Sequence, residues 1–498
     1  MDLFNNLIFG FSEALSLQNL LYCFIGVLVG TLIGVLPGIG PLGTIAILLP
    51  ITYGVPPVAA MIMLAGIYYG AQYGGSTTAI LVNLPGETSA VVTCIDGHQM
   101  AQQGRAGPAL AIAAIGSFFA GTVGTLLIAL FGPPLADVAL KFGAPEYFSL
   151  MLMGLVAAAV LAQGDMVKSI AMVVMGLLLG IIGTDVNSGV QRFSFGFFEL
   201  TDGIGFIVVA VGVFAIGEIV SNLGEAQERR VLANKVSHLF PTLQDLKKSW
   251  GPILRGTGIG CFFGVLPGTG PSIASFSSYM LEKKVAKNPD EFGRGAIQGV
   301  AGPEAANNAD AQCKFIPMLT LGLPASGVMA LMLGALTIQG IQPGPQVMTQ
   351  KPELFWGLIA SMWIGNLLLV VLNLPLIGLW VKLLQVPYRL LFPAIMAFSA
   401  IGVFSVNNSA FEIHLTALFG VLGFIWMRLG FPLAPMLLGF VLGPMMEEYL
   451  RRAMLMSGGD PSVFITRPIS LAFIIATILI LVVMVAPSVR KQREAFTD

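Results

Sequence analysis

GVLPGIGP at residues 34–41 returns as GVLPGTGP at residues 264–271. Seven of the eight positions are identical, and the copies lie 230 residues apart. Each copy interrupts a long apolar stretch with two prolines and with glycines. Proline removes a backbone donor and clashes with the preceding helical turn, and glycine loosens the helix further. Backbone broken at membrane depth persists only where protein or a water-filled cavity receives its polar groups. Corresponding breaks in two halves of a membrane protein point to a transporter's binding site. One copy alone reads equally well as a proline kink; the near-identical pair favours a site.

The surroundings suit hydrocarbon. The 498 residues are 56% hydrophobic and 10% charged, with mean hydropathy +0.85, whereas soluble domains carry about 25% charged residues. Apolar runs occupy 17–36, 108–132, 148–162, 166–183, 203–220, 357–381, 411–427 and 468–487. A spanning helix needs about 20 such residues. The expectation is an all-α polytopic membrane protein in a lipid bilayer. It has roughly 10–14 membrane segments, re-entrant ones included. The net charge of −1 says nothing about a charged partner, and no Lys/Arg run interleaved with aromatics points to nucleic acid, so no nucleic-acid partner is expected. The N-terminus, MDLFNNLIFGFSEALS, has no basic residue ahead of its first apolar run, so no cleaved signal is expected. Cys23, Cys94, Cys261 and Cys313 show no CxxC spacing, and His98, His238 and His414 are dispersed. Neither set suggests a disulfide framework or a transition-metal site.

The main change in composition is GEAQERRVLANKVSHLFPTLQDLKKSWGPILR, 224–255, with Arg229, Arg230, Lys235, Lys247, Lys248 and Arg255. Short basic loops are normally cytoplasmic. The segment therefore reads as a linker between a first membrane repeat (1–223) and a second one with C-terminal helices and a basic tail (256–498). The tail, VRKQREAFTD, should also be cytoplasmic. Charge around the repeats pulls both ways. The flank before the first octapeptide is uncharged or acidic and that before the second is basic, which favours inverted repeats. Against this, loops 96–105 and 282–294 follow matching elements and are both somewhat positive. Inversion is the expectation.

Beyond each break comes a second weak spot: YYGAQYGGSTTAILVNLPGETS, 68–89, and GPEAANNADAQCKFIPMLTLGLPASG, 302–327. Both run from small polar residues to a Leu-Pro turn, Leu84-Pro85-Gly86 and Leu323-Pro324-Ala325.

A helix that begins inside the membrane turns unpaired N–H groups and its positive dipole end toward the cavity, and glycine lets a carboxylate approach closely. Pro37, Gly38, Gly40, Pro41 and Thr44 are the candidates in the first half. Pro267, Gly268, Thr269, Gly270, Pro271 and Ser272 are those in the second, with Ser275 nearby. The second pair of candidates is Gly74, Gly75, Ser76, Thr77, Thr78 and Asn83, and Asn307, Asn308 and Asp310 beside Glu304. Their oxygens suit a hard cation such as sodium, or hydrogen bonds to a carboxylate. Close helix packing through small residues is the alternative. Glu87 should stand at the cavity mouth, and Glu218 and Glu304 near an interface. Asp310 and Lys314, four apart, should pair on one helix face, either as a neutralising pair or as an ion relay. Tyr69, Tyr73, Trp356, Trp363 and Trp380 read as interface belt or core. The sequence has no GxxxxGK[ST], HExxH or GxSxG motif, so no enzyme activity is expected. Energy for transport would come from an ion gradient or a partner, with sodium the one cofactor in prospect.

Four blocks, 34–50, 68–87, 264–279 and 302–327, resemble the large membrane subunit of the bacterial tripartite tricarboxylate transporters, in order and spacing across nearly the whole chain. The resemblance implies a secondary importer of carboxylates in the inner membrane, driven by sodium or protons. It also implies two partners, a small membrane subunit and a periplasmic solute-binding protein that delivers substrate. It makes Pro37 to Pro41, Gly74 to Thr78, Pro267 to Pro271 and Asn307 to Asp310 the binding elements. Small uncharged residues would be expected near 310–314, where this chain has Asp310, Gln312 and Lys314. That departure leaves the coupling ion and the substrate's charge open, with Lys314 a candidate to face an anion. Citrate, other tricarboxylates, dicarboxylates and aromatic acids all fit. A passive anion channel would share the same site, whereas an intramembrane enzyme finds little support in the scattered histidines and cysteines.

Overall fold

The computed structural model describes residues 3–36, 40–162, 165–185, 187–223, 239–383 and 388–485. It is a multi-pass all-α protein. Among the described residues the one sheet is a pair of two-residue strands, Gly183–Thr184 and Gln191–Arg192. Five helices are long and apolar enough to cross a membrane, and six shorter apolar helices accompany them. The helices used below are α1 (Leu3–Ala14), α2 (Leu17–Gly34), α3 (Pro41–Leu48), α4 (Pro57–Val82), α5 (Ala106–Ala139), α6 (Ala144–Leu161) and α7 (Met166–Gly180). They continue with α8 (Phe206–Ser221), α9 (Leu243–Val265), α10 (Pro271–Val285), α11 (Gln298–Cys313), α12 (Phe315–Leu321), α13 (Gly327–Ile338) and α14 (Pro352–Asn373). The last are α15 (Tyr388–Asn407), α16 (Ala410–Arg428), α17 (Leu433–Met456) and α18 (Pro468–Val485).

Both octapeptides break the helix. In the first half α2 stops at Gly34 and α3 starts at Pro41. In the second, α9 stops at Val265 and α10 starts at Pro271. Proline opens both new helices, where its missing N–H costs nothing and its fixed φ suits the first turn. The carbonyls released at the breaks find hydroxyls. Thr78 donates to Val35 O at 2.9 Å, and Thr269 lies 2.6 Å and 2.8 Å from Phe263 O and Leu266 O. Pro37 and Gly38 lie outside the described residues.

Two helix pairs share one pattern of contact. Gly26, Gly30 and Gly34 on α2 face the carbonyls of Met63, Ile67 and Ala71 on α4. Gly256, Gly260 and Gly264 on α9 face those of Gly302, Ala306 and Asp310 on α11. A Cβ at any of the six would come closer than 3.0 Å to the facing backbone. In lipid, helices associate by such close backbone approach, because burying apolar surface gains little there. The glycines are related by a shift of 230 and the carbonyls by 239. The shift of 239 also carries Asn83 onto Gly322. Both are left-handed, φ 59° and 68°, and each ends a helical stretch immediately before its Leu-Pro turn.

Two expectations change. The weak spot at 68–89 breaks only at its Leu-Pro end, since α4 runs unbroken from Pro57 to Val82. Gly74 is needed for packing: a Cβ there would meet Thr31 O and Val35 N at 2.6 Å. By register, Asn307 and Asp310 correspond to Tyr68 and Ala71, not to the Gly74–Thr78 cluster. The basic segment is also not all loop. Thr242 and Asp245 cap α9, so Lys247 and Lys248 ride on its first turns and Arg255 on its middle. Residues 224–238, with Arg229, Arg230 and Lys235, lie outside the described residues, as does the tail from 486. Tyr69, Tyr73, Trp356 and Trp380 are core residues.

Candidate functional site

A cavity of about 610 Å³ opens where the breaks of the two halves meet. Gly40 and Pro41 at the start of α3, and Gly268 to Ser272 leading into α10, form two of its walls. The Leu-Pro turns form two more, through Pro85 to Thr88 and through Ser326 and Gly327. Glu218 on α8 faces in beside them. Small-ligand sites typically measure about 300–1,000 Å³ and are mostly apolar with a few convergent polar groups, and this cavity fits that description.

Cross-half contacts hold the walls in register. Ser272 Oγ donates to Thr88 Oγ1 at 2.8 Å. The equivalent pair is Leu42 with Gly327, where a Cβ on Gly327 would lie 3.2 Å from Leu42 Cδ1. Gly268 has φ +80° and donates its N–H to Ala325 O at 3.0 Å, so the second break is tied to the second Leu-Pro turn.

The two helix starts are chemically unequal. At α3, Gly40 N donates to Glu218 Oε1 at 3.3 Å, so a side-chain carboxylate of the protein occupies the positive end of that helix. At α10, Gly270 makes no side-chain cap bond, and a Cβ there would meet nothing within 4 Å. That end faces open cavity. Thr44 bonds back to Gly40 O at 2.9 Å within its own helix, and Ser275 on α10 reaches Pro303 O on α11 at 3.3 Å, so neither is turned to the cavity.

The second set of candidates comes together behind the cavity. Asn307 Nδ2 donates to Glu87 Oε1 at 2.9 Å, and Ser89 donates to the same oxygen. This holds Glu87, which lines the cavity, from the far side. Ser76 Oγ donates to Glu304 Oε2 at 2.7 Å and Thr93 to Oε1. Asn308 Nδ2 donates to Ser117 Oγ at 2.7 Å. Gly75 packs against Glu87 Cγ, Thr77 bonds to Tyr73 O, and Asn83 is an exposed helix terminator. Glu304, expected near an interface, is 2% exposed. Asp310 and Lys314 form an ion pair that is wholly buried. Lys314 does not line the cavity, so it does not face an anion there. A buried pair of this kind returns its desolvation cost only in part, which fits neutralisation.

Glu218, expected near an interface, instead lines the cavity and closes the α3 start. Two residues that the sequence did not single out also matter here. Ser326 caps α13 and lines the cavity. Asp96, fully buried, accepts Gly293 N, Gly295 N and Ala296 N at 2.8 Å each and Tyr279 Oη at 2.9 Å, fastening the loop after α10 to the first half.

Broken helices around a central cavity in an all-α membrane protein define a membrane transporter component. The sequence model of the tripartite tricarboxylate transporter TctA family matches residues 20–438, and the chain belongs to that family. Two relatives come from Agrobacterium vitis. An "Uncharacterized 52.8 kDa protein in TAR-I ttuC' 3'region" is 58% identical over 494 residues, covering 99% of this chain and 98% of the relative. An "Uncharacterized protein in TAR-II ttuC' 3'region" is 58% identical over 235 residues, covering 47% of this chain and 97% of the relative. No solved structure matches.

Proposed function

We propose that this chain is the membrane permease of a tripartite, ion-gradient-driven importer of tricarboxylates such as citrate, or of related carboxylates, in the bacterial inner membrane. A periplasmic solute-binding protein delivers the substrate, and a small membrane subunit completes the system. The observation that carries this reading is the cavity between the two helix starts. One carboxylate of the substrate sits at the open start of α10, near Ser272 and Ser326. Glu218 holds the α3 start until a second carboxylate displaces it.

The need for a coupling ion follows from charge. Among the described residues, the cavity wall carries Glu87 and Glu218 and no lysine or arginine. A multivalent anion entering this space meets like charges in a weakly screening medium. Cations or protons must therefore enter with it, which favours a symporter over a passive channel. The shifts of 230 and 239 support two repeats, which we take as inverted. Alternating access then moves the broken-helix unit against the helices around it.

The test is uptake of labelled carboxylates, citrate first, into proteoliposomes holding the chain with its small subunit and binding protein. Sodium and proton gradients are imposed separately. Accumulation that needs both a gradient and the binding protein supports the reading. Downhill flux indifferent to either gradient would identify a channel instead.

A further inference from the structure

Behind the large cavity lies a second one of about 20 Å³, walled by α4, α5, α11 and the end of α14. Such a volume holds one water-sized particle. Ser76, Thr77, Ser117, Glu304 and Asn373 all line it. Glu304 supplies a carboxylate buried to 2% exposure, fixed on both oxygens by the Ser76 and Thr93 hydroxyls. Asn373 is 5% exposed and donates Nδ2 to Leu369 O at 2.9 Å. Its Oδ1 is buried with no hydrogen-bond partner among the described residues. A buried amide oxygen left unpaired costs about 1–3 kcal/mol. A ligand that accepts its lone pair would recover that cost.

The donor set is all oxygen, which selects a hard cation. One carboxylate balances one positive charge. A divalent ion would leave an uncompensated charge in the interior, and magnesium would bring several waters for which there is no room. Lys314, the buried ammonium of this region, is already paired with Asp310.

We propose that this small cavity is a sodium site, with Glu304 as the charged ligand and Asn373 Oδ1, Ser76, Thr77 and Ser117 as neutral ones. The site rests on the transport reading above and deepens it by giving the driving ion a place of its own. Its residues come from both halves: Ser76 and Thr77 from α4, and Glu304 from α11. Three residues beyond Glu304, Asn307 holds Glu87 on the wall of the large cavity. An ion at Glu304 therefore braces the segment that sets one wall of the substrate space.

The test uses the purified full chain in detergent, with no carboxylate present. Its thermal unfolding midpoint is followed against NaCl, with choline chloride holding ionic strength and KCl as comparison. The midpoint rises saturably with sodium and not with potassium. Glu304→Gln abolishes the rise, and Asp185→Asn, which removes a distant carboxylate, keeps it. Asn373→Leu fills the cavity without disturbing the Glu304 charge, and it also loses the sodium response, which keeps the test decisive if Glu304→Gln does not fold. No sodium-specific rise in the unmodified chain, or a rise kept by either Glu304→Gln or Asn373→Leu, overturns the site. Neither result bears on carboxylate binding, which is measured separately at Ser326.

Discussion

The Gly40 amide donates to Glu218 Oε1 at 3.3 Å, which places a carboxylate of the protein at the start of α3, where a substrate carboxylate would bind. Charge at a helix terminus is worth about 0.3–1 kcal/mol, and up to about 2 in partly buried settings. Glu218→Gln removes both the competitor and a like charge. The KM for citrate in reconstituted uptake should fall about fivefold, corresponding to about 1 kcal/mol. An unchanged or higher KM would show that Glu218 does not oppose the substrate.

The Asp310–Lys314 pair predicts a non-additive result. Lys314→Met leaves Asp310 buried and uncompensated, at a cost of about 3–5 kcal/mol. The double variant Asp310→Leu with Lys314→Met removes both charges and should recover most of that loss. Thermal midpoints of the unmodified chain, Lys314→Met and the double variant measure it. If the double variant is as unstable as the single, the pair does more than neutralise itself.

The glycine stripes predict equal damage in the two halves. Gly30→Val and Gly260→Val both drive a side chain into the backbone of the facing helix, at Ile67 and at Ala306. Both should abolish accumulation of folded protein in the membrane. Gly258→Ala, on the same helix as Gly260 but facing open space, should be tolerated and gain up to about 1 kcal/mol of helix propensity. Fluorescence-detected size-exclusion profiles of the three variants decide the matter.

Much of this architecture was legible because proline and glycine act locally. The octapeptides marked where α2 and α9 stop, and Leu84-Pro85 and Leu323-Pro324 marked the turns. Glu218 read as interfacial, and its role was hidden because it stands 178 residues from Gly40 in an apolar run, and only the fold brings them together. Gly74 to Thr78 read as a binding element or as close helix packing, because small polar residues suit both. In place, the glycines admit α2 and the hydroxyls bond to carbonyls, so α4 stays intact. The register was obscured because the stretch from Pro271 to Gly302 is nine residues longer than that from Pro41 to Met63, which turns the shift of 230 into 239.

Outside the membrane helices, Asp185 carries a pH dependence. The Ser188 backbone N–H holds its carboxyl well below the usual carboxylate range, with help from Arg451, the Asn187 N–H and Arg192. A depressed native value stabilises the fold above the unfolded value of about 3.9, and the contribution is lost as pH falls through the native value. The difference in midpoint between the unmodified chain and Asp185→Asn should be constant above about pH 5 and shrink steadily below about pH 4. A gap that does not change with pH would show that the interaction is not charge-dependent.

The most direct test of the central claim is protection of the large cavity by substrate. With Cys23, Cys94, Cys261 and Cys313 replaced, Ser326→Cys places one thiol on the cavity wall, and Ser188→Cys places one on an exposed turn. The rate of maleimide labelling is measured with and without citrate and related carboxylates, in sodium. The account predicts that a transported carboxylate slows labelling at Ser326→Cys in a saturable way and leaves Ser188→Cys unchanged. Equal labelling at Ser326→Cys with and without a carboxylate that the same protein is shown to transport would contradict it.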